Sequence, residues 1–246
     1  MKALILAAGY ATRLYPLTKE YPKPLLEVKS RPLVDYILDK LCSVEAIDEI
    51  LVVTNNKFFL KFKDWAKGKK IKIKLTIVND LTKSLEDRLG AIGDMNFVIE
   101  KKRPNDDLLV IGGDNLFNEG LEGFIEFAKV KAPSPVIGIY DLKNIKEAHK
   151  YGVIKLDKNC KVVDFKEKPK LPKSTLVAMC LYYFPKEKLG LIKKYLKDKK
   201  NKQDATGYYI DWLRKKEAIY GFTFHGAWYD IGDAKFYNKA KASFAK

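Results

Sequence analysis

The residues best suited to chemistry begin at the end of a short apolar run. Ala3-Leu-Ile-Leu-Ala-Ala8 gives way to Gly9, and then to a stretch with no helical or strand period that carries Arg13, Pro16, Pro22, Lys23 and Pro24. Small residues at a strand's end let a ligand approach the main chain, and the N–H groups of such a turn can point at phosphate oxygens. Arg13 and Lys23 add fixed positive charge, so the chemistry implied is the holding of a polyphosphate. The Gly-Lys-Ser/Thr ending of a P-loop is missing, as is the Gly-x-Gly-x-x-Gly spacing. An irregular stretch of roughly twenty residues inside a folded domain is uncommon and is usually functional.

Two aspartates complete the pattern. Asp114 ends Leu108-Leu-Val-Ile-Gly-Gly-Asp, and Asp230 lies in Ala227-Trp-Tyr-Asp-Ile-Gly-Asp233. Either alone could begin a turn or cap a helix, although Asp233 is the better placed cap. Magnesium, however, favours one or two carboxylates supplemented by substrate phosphates and water. Two aspartates far apart in sequence would meet that need if the fold brought them to one edge.

The elements that must do so are legible. Ala3–Ala8, Ile50–Val53, Leu108–Ile111 and Val136–Tyr140 are short and rich in Val, Ile and Leu, as strands are when both faces of a parallel sheet are covered. Between them, 32–43, 57–67, 86–101 and 120–131 carry a helical period, as does 187–199 further on. In the first, Leu33, Tyr36, Ile37 and Leu41 share one face, and Pro32 suits a first turn. Repeated β-α-β units predict a doubly wound sheet with ligands at the carboxyl ends of its strands. Beyond residue 150, Gly152–Leu156, Lys161–Phe165 and Thr175–Phe184 read as strands joined by turns, an antiparallel extension of the same sheet. Helices over 207–217 and 233–245, with a strand near 218–225, close the chain. We expect one domain over 1–246, with 1–150 as a nucleotide-binding half and 151–246 as an acceptor-side, lid-like half.

The opening segment, Leu6-Ala-Ala-Gly-Tyr-Ala-Thr-Arg-Leu followed by Pro22-Lys-Pro24, resembles the signature of the sugar-1-phosphate nucleotidyltransferases. Within that family the likeness is greatest to enzymes that join glucose 1-phosphate to dTTP or UTP, and it covers nearly the whole chain. The resemblance implies a Rossmann-like, GT-A-like α/β mixed sheet with a small antiparallel acceptor-side extension. It also implies transfer of a nucleotidyl group to a sugar 1-phosphate, with Mg²⁺ as cofactor and pyrophosphate as second product. By the same likeness, Leu6, Ala8, Gly9, Thr12 and Arg13 would contact the nucleotide, and Asp114 and Asp230 would hold the metal. Arg13, Lys23, Asp114 and Asp230 would carry catalysis. Asn79 would read the base in place of the family's glutamine, with Gly90 of Leu89-Gly-Ala91 beside it. Tyr151 and Gly152 of Tyr151-Gly-Val153, with Glu167 and Lys168 of Glu167-Lys-Pro169, would hold the sugar phosphate.

Two departures leave matters open. Ala11 occupies the family's second glycine, and Ser84-Leu-Glu-Asp-Arg88 replaces the usual glycine- or proline-rich lead-in to the base site. Other pairings stay possible: mannose or heptose 1-phosphate with GTP, phosphocholine with CTP, or a non-catalytic regulatory relative that senses nucleotide sugars. A glycosyltransferase would be expected to show Asp-x-Asp where this chain has Gly-Gly-Asp-Asn.

Composition narrows the classes further. The formal charge is +16, yet only five of 47 basic residues are arginine, the side chain whose planar fork reads phosphates and bases. A lysine-rich solvated surface is expected, with no nucleic-acid partner. Cys42, Cys160 and Cys180 form no Cys-x-x-Cys pair, and His149 and His225 are too scattered for a metal cluster. With no run of about 18 apolar residues, neither a membrane span nor a signal peptide is expected, and the setting expected is cytoplasmic. Homo-oligomerisation is possible.

Overall fold

Alternate residues of the first strand decide the layering. Ala3 and Ile5 point into one apolar core and Leu4 into another, so the sheet must be covered on both faces. The computed structural model describes residues 1–244, and supplies those covers. The first half runs β1 (Lys2–Leu6), β2 (Glu27–Val28), β3 (Arg31–Pro32), α1 (Leu33–Cys42), β4 (Glu49–Thr54), α2 (Phe59–Lys67), β5 (Lys74–Asn79), α3 (Gly90–Lys102), β6 (Leu108–Gly112), β7 (Asn115–Phe117), α4 (Glu122–Lys131) and β8 (Val136–Asp141). The second runs β9 (Gly152–Leu156), β10 (Val162–Glu167), β11 (Leu176–Phe184), α5 (Gly190–Leu196), α6 (Thr206–Leu213), β12 (Tyr220–Phe224), β13 (Trp228–Asp230) and α7 (Ala234–Ser243).

One nine-stranded mixed sheet passes through both halves. Its path is β10-β9-β11-β6-β1-β4-β5, and β8 pairs with β11 and carries β12. β1 lies parallel to both β4 and β6, while β11 joins β6 antiparallel. The chain therefore leaves β1 toward one side and returns on the other, which opens a crevice at β1's carboxyl end. α1, α2 and α4 cover one face with Val34, Ile37, Phe62, Phe124 and Ile125. α3, α5 and α6 cover the other with Ile92, Met95, Ile192, Tyr209 and Ile210. No helix among the described residues is long and apolar enough to cross a membrane.

Several boundaries differ from the sequence reading. β1 stops at Leu6 rather than Ala8, because the Ala8 carbonyl accepts from the buried Asn55 carboxamide (2.9 Å) instead of continuing a ladder. β5 was not anticipated: lysine alternates through 69–74, and the strand sits at the sheet's edge, where one side needs no apolar cover. The helix expected from 86 begins only at Gly90, since the Asp87 carboxylate turns back to accept from the Lys83 and Ser84 N–H groups (2.9 and 2.8 Å). The helices expected at 187–199 and 207–217 shorten to α5 and α6, and residue 245 of the last expected helix lies outside the described residues.

Candidate active site

The loop leaving β1 is fixed by its neighbours before any ligand arrives. Gly113 N–H donates to the Leu6 carbonyl (2.9 Å), and a Cβ on Gly113 would lie 2.8 Å from that oxygen and 3.0 Å from Pro24 Cγ. Gly113 must therefore be glycine for Pro22-Lys-Pro24 to pack against the end of β6. Ala11 adopts φ 50°, ψ 42°, the left-handed region that glycine enters freely and alanine only at a cost of about 1–2 kcal/mol. The left-handed turn carries the chain into a 3₁₀ turn over Thr12–Leu14, and the Thr18 hydroxyl donates to the Ala11 carbonyl (2.8 Å).

The two aspartates are brought together by a small ribbon. β7 pairs antiparallel with β13, setting Asp230 opposite Asn115, the residue after Asp114. The ribbon is braced by Asn115, which donates to the Met179 carbonyl (2.5 Å) and accepts from Trp228 Nε1 (2.8 Å). Lys23 completes the group. Its ammonium pairs with the Asp114 carboxylate and donates to the Ile231 carbonyl (2.5 Å). Burial and the Asp114 charge push the Asp230 carboxyl up to about 6, against the opposing pull of Lys23, Arg13 and Lys168. Near Asp230, a Cβ on Gly232 would lie 3.5 Å from its Oδ2 and 4.0 Å from Arg13 Nη1. Two hard oxygen donors held against each other, with an ammonium already between them and the rest of the wall, are suited to a small divalent cation. Among the described residues, no group of three or more His, Cys, Asp or Glu could hold a metal, so such an ion would draw its remaining ligands from substrate and water.

Two adjoining cavities open from this point. One, of about 300 Å³, is lined by Arg13, Asp114, Tyr151, Gly152, Glu167, Lys168 and Asp230. The other, of about 370 Å³, is lined by Leu6, Ala8, Gly9 and Gly90 and reaches the first at Asp114 and Cys180. In the first, the Glu167 side chain is 8% exposed and Lys168 Nζ lies 3.8 Å from it. Burial raises the Glu167 carboxyl, offset in part by that ammonium. Room for this carboxylate comes from two glycines: a Cβ on Gly152 would stand 3.1 Å from Glu167 Oε2, and one on Gly207 would overlap the same oxygen.

Not every candidate reaches a cavity. Thr12 starts the 3₁₀ turn with an exposed side chain and lines neither space. Asn79 also lines neither: its amide donates to Asn56 Oδ1 (2.8 Å) and its oxygen accepts from Leu81 N–H (2.8 Å). Other residues in the walls carried no sequence signal. Trp228 packs on Tyr140 and Tyr151 at centroid distances of 5.3 and 5.4 Å, forming an aromatic side to the first cavity. Thr206 bonds Tyr182 (2.7 Å) beneath it, while Lys150 and Phe236 complete its rim. Buried polar braces such as Asn55 and Asn115 have no pattern by which a single sequence betrays them.

Comparison with known proteins agrees with this architecture. The family model described as nucleotidyl transferase matches residues 2–246. A bifunctional GlmU protein of Methanocaldococcus jannaschii is 30% identical over 232 residues, spanning 94% of this chain and 51% of the relative. A provisionally named mannose-1-phosphate guanyltransferase of Sulfolobus acidocaldarius is 31% identical over 238 residues, spanning 94% and 60%. This chain thus spans about half the length of the curated relatives it matches. Among solved structures, a protein provisionally named glucose-1-phosphate thymidylyltransferase, from Bacillus anthracis, superposes with TM-score 0.86 at 24% identity over 100% of this chain and 98% of its own. A UDP-glucose pyrophosphorylase complexed with UDP-glucose does so with TM-score 0.81 at 21% identity, over 98% and 97%. Those two likenesses concern the fold, and the match of the family model to essentially the whole sequence settles the kinship: the chain belongs to the nucleotidyl transferase family.

Proposed function

We propose that this protein transfers a nucleotidyl group from a nucleoside triphosphate to a sugar 1-phosphate, releasing pyrophosphate. One observation carries the reading: Arg13, Lys23, Asp114 and Asp230, from four separate segments, meet where two ligand-sized cavities join. One cavity begins at the glycine loop and would take the nucleotide. The other, with Gly152, Glu167, Lys168 and an aromatic side, would take the sugar phosphate.

An oxygen of the sugar phosphate attacks the α-phosphorus, the bond from that phosphorus to the β-phosphate oxygen breaks, and pyrophosphate leaves. A phosphate monoester dianion is already a nucleophile, so no general base is needed. The protein has to position two polyanions and offset their repulsion. Arg13 would bind the triphosphate, and Lys168 the acceptor phosphate, with Glu167 accepting from sugar hydroxyls. Mg²⁺, held by Asp114 and Asp230, would supply charge neutralisation at phosphate oxygens. Lys23 keeps those carboxylates in place until then. Nucleoside triphosphates as donors fit a cytoplasmic setting.

Glucose 1-phosphate with dTTP or UTP is the pairing favoured by the opening motif. The residue expected to read that pyrimidine, Asn79, has its carboxamide committed elsewhere, so the base is taken up below. The test is a pyrophosphate-release screen of common nucleoside triphosphates against sugar 1-phosphates with Mg²⁺. Release with one pair, and loss of at least ~100-fold in Asp114→Asn, is expected. Folded protein silent across the panel would instead favour a regulatory relative without catalysis.

A further inference from the structure

The cavity that begins at the glycine loop ends on two carboxyls that the mechanism does not use. Asp80 follows β5, and Asp94 lies one helical turn after Gly90, so both meet the space that Gly90 borders. Asp80 is 4% and Asp94 6% exposed. Asp80 Oδ1 accepts from the N–H and the hydroxyl of Thr82 (2.7 and 2.8 Å). The two carboxyls also bond to each other, which requires one shared proton. Burial, with the Asp80 charge beside it, raises the Asp94 carboxyl, so that proton stays on the pair at neutral pH.

What the pair leaves over is specific. Its one proton lies between the carboxyls, so toward the cavity it offers only acceptor oxygens. Asp94 Oδ1 is buried with no hydrogen-bond partner. The cation on the same wall, Arg88, is already engaged with Asp204 (3.3 Å) and the Leu85 carbonyl (2.9 Å). The Tyr10 hydroxyl, in that wall too, lacks a well-formed partner, and its neighbour Thr82 gives its own hydroxyl proton to Asp80. A purely structural pair would have its oxygens satisfied. These groups are arranged for donors that arrive with a ligand.

We infer that Asp80 and Asp94 read the base of the bound nucleotide and select guanine. The inference rests on the proposed nucleotidyl-transfer reading only in taking this cavity as the nucleoside site. Guanine alone among the common bases presents two adjacent donors, N1–H and N2–H₂, which suit two acceptor oxygens, while the Tyr10 hydroxyl can donate to O6. Uracil and thymine place a single N–H between two carbonyls, which would set oxygen against oxygen. Cytosine and adenine offer an amino group beside a bare ring nitrogen.

The test is equilibrium binding by calorimetry, with Mg²⁺ and no acceptor, of GTP, ITP, ATP, CTP, UTP and dTTP. GTP should bind at least tenfold more tightly than the pyrimidine nucleotides and ATP. ITP, which lacks only the N2 amino group, should lose about tenfold against GTP, as for one hydrogen bond to a charged or shared-proton acceptor. In Asp94→Asn, which turns an acceptor into a donor, the GTP preference should collapse; the ITP comparison on the unaltered protein stands even if that variant folds poorly. A pyrimidine nucleotide binding more tightly than GTP, or ITP equal to GTP, overturns the inference. Guanine-selective binding without pyrophosphate release from any pair would overturn the proposed reaction alone, and failure to bind any nucleotide would overturn both.

Discussion

Lys23 holds the carboxylate pair in check, and replacing it with methionine removes the charge while keeping most of the volume. Its side chain is only 12% exposed, its ammonium pairs with Asp114, and Asp230 lies beside them with its carboxyl already raised by burial and by Asp114. Breaking a buried pair by deleting one partner costs roughly 3–5 kcal/mol, because a charge is left without compensation. Asp114 is 30% exposed, and the solvent it meets screens part of that cost, so about 3 kcal/mol is expected. In a chain of this length each kcal/mol moves Tm by roughly 2–4 °C, so Lys23→Met should melt about 6–12 °C lower without divalent ions. If Asp114 and Asp230 then bind Mg²⁺, the ion at about 100 times its Kd returns roughly 2.7 kcal/mol and nearly restores Tm. The unaltered protein should gain less, since there the ion must first displace an ammonium. Scanning calorimetry with EDTA and with Mg²⁺ checks both halves. A variant melting within 2 °C of the parent in EDTA, or one that Mg²⁺ leaves unchanged, would refute the counter-ion argument.

Three further outcomes are expected. Ala11→Gly relieves a left-handed alanine, and after allowing for the added chain entropy it should stabilise by roughly 0.5–1 kcal/mol with turnover retained; denaturant unfolding that shows a loss would contradict the φ assignment. Gly207→Ala puts a methyl where Glu167 lies, so KM for the sugar phosphate should rise about tenfold with a smaller change in kcat, and an unchanged KM would separate Glu167 from the acceptor. Asp94 is protonated in the folded chain up to about pH 8 but in the unfolded chain only to about 3.8, so the folded state binds the extra proton and stability falls as pH rises through that window. At about 1.4 kcal/mol for each pH unit, the fall reaches at most about 4 kcal/mol between pH 5 and 8. Asp94→Asn should flatten it, and parallel stability–pH curves for the two proteins would count against the shared proton.

The parts visible in the sequence were those whose physics is local. Leu108–Ile111 and Ile50–Val53 read as buried parallel strands because both faces of each are apolar, and α1 declared itself through one face of Leu and Ile. Strand β5 was hidden by lysines that an edge position tolerates. The β7–β13 ribbon, three residues on each side, is too short for any period, yet it is what sets Asp230 opposite Asn115. Ala11 was conspicuous as a departure from the motif it resembles, and the φ of 50° gives the reason a glycine belongs there. Asn79-Asp80 read as a turn with one base-reading side chain. It is a turn, held by Asn79, and its other member reaches the cavity, but only because Asp94 arrives from a helix whose polar residues look like any solvated face.

Charge in the crevice qualifies what the whole-chain value implies. A net +16 suggests a protein that draws polyanions to it, but the cavity between β13 and β10 presents Asp114, Glu167, Asp204, Asp230 and Asp233 against Arg13, Lys150 and Lys168. Lys150 is engaged with Glu147 at 2.5 Å, and Lys23 with Asp114, so little free positive charge faces the space. The lysines responsible for the large total lie mostly on the outer surface, where a Debye length of about 8 Å screens them at physiological salt. They can raise the encounter rate of a triphosphate without holding it. On the proposed reading, retention falls to a divalent ion taken up by Asp114 and Asp230, which turns the acidic wall from a repulsive surface into a ligand set. Displacing Lys23 from Asp114 at that step also frees an ammonium within reach of the phosphates. The same carboxylates that make the empty crevice poor at binding phosphate therefore make substrate binding conditional on the metal.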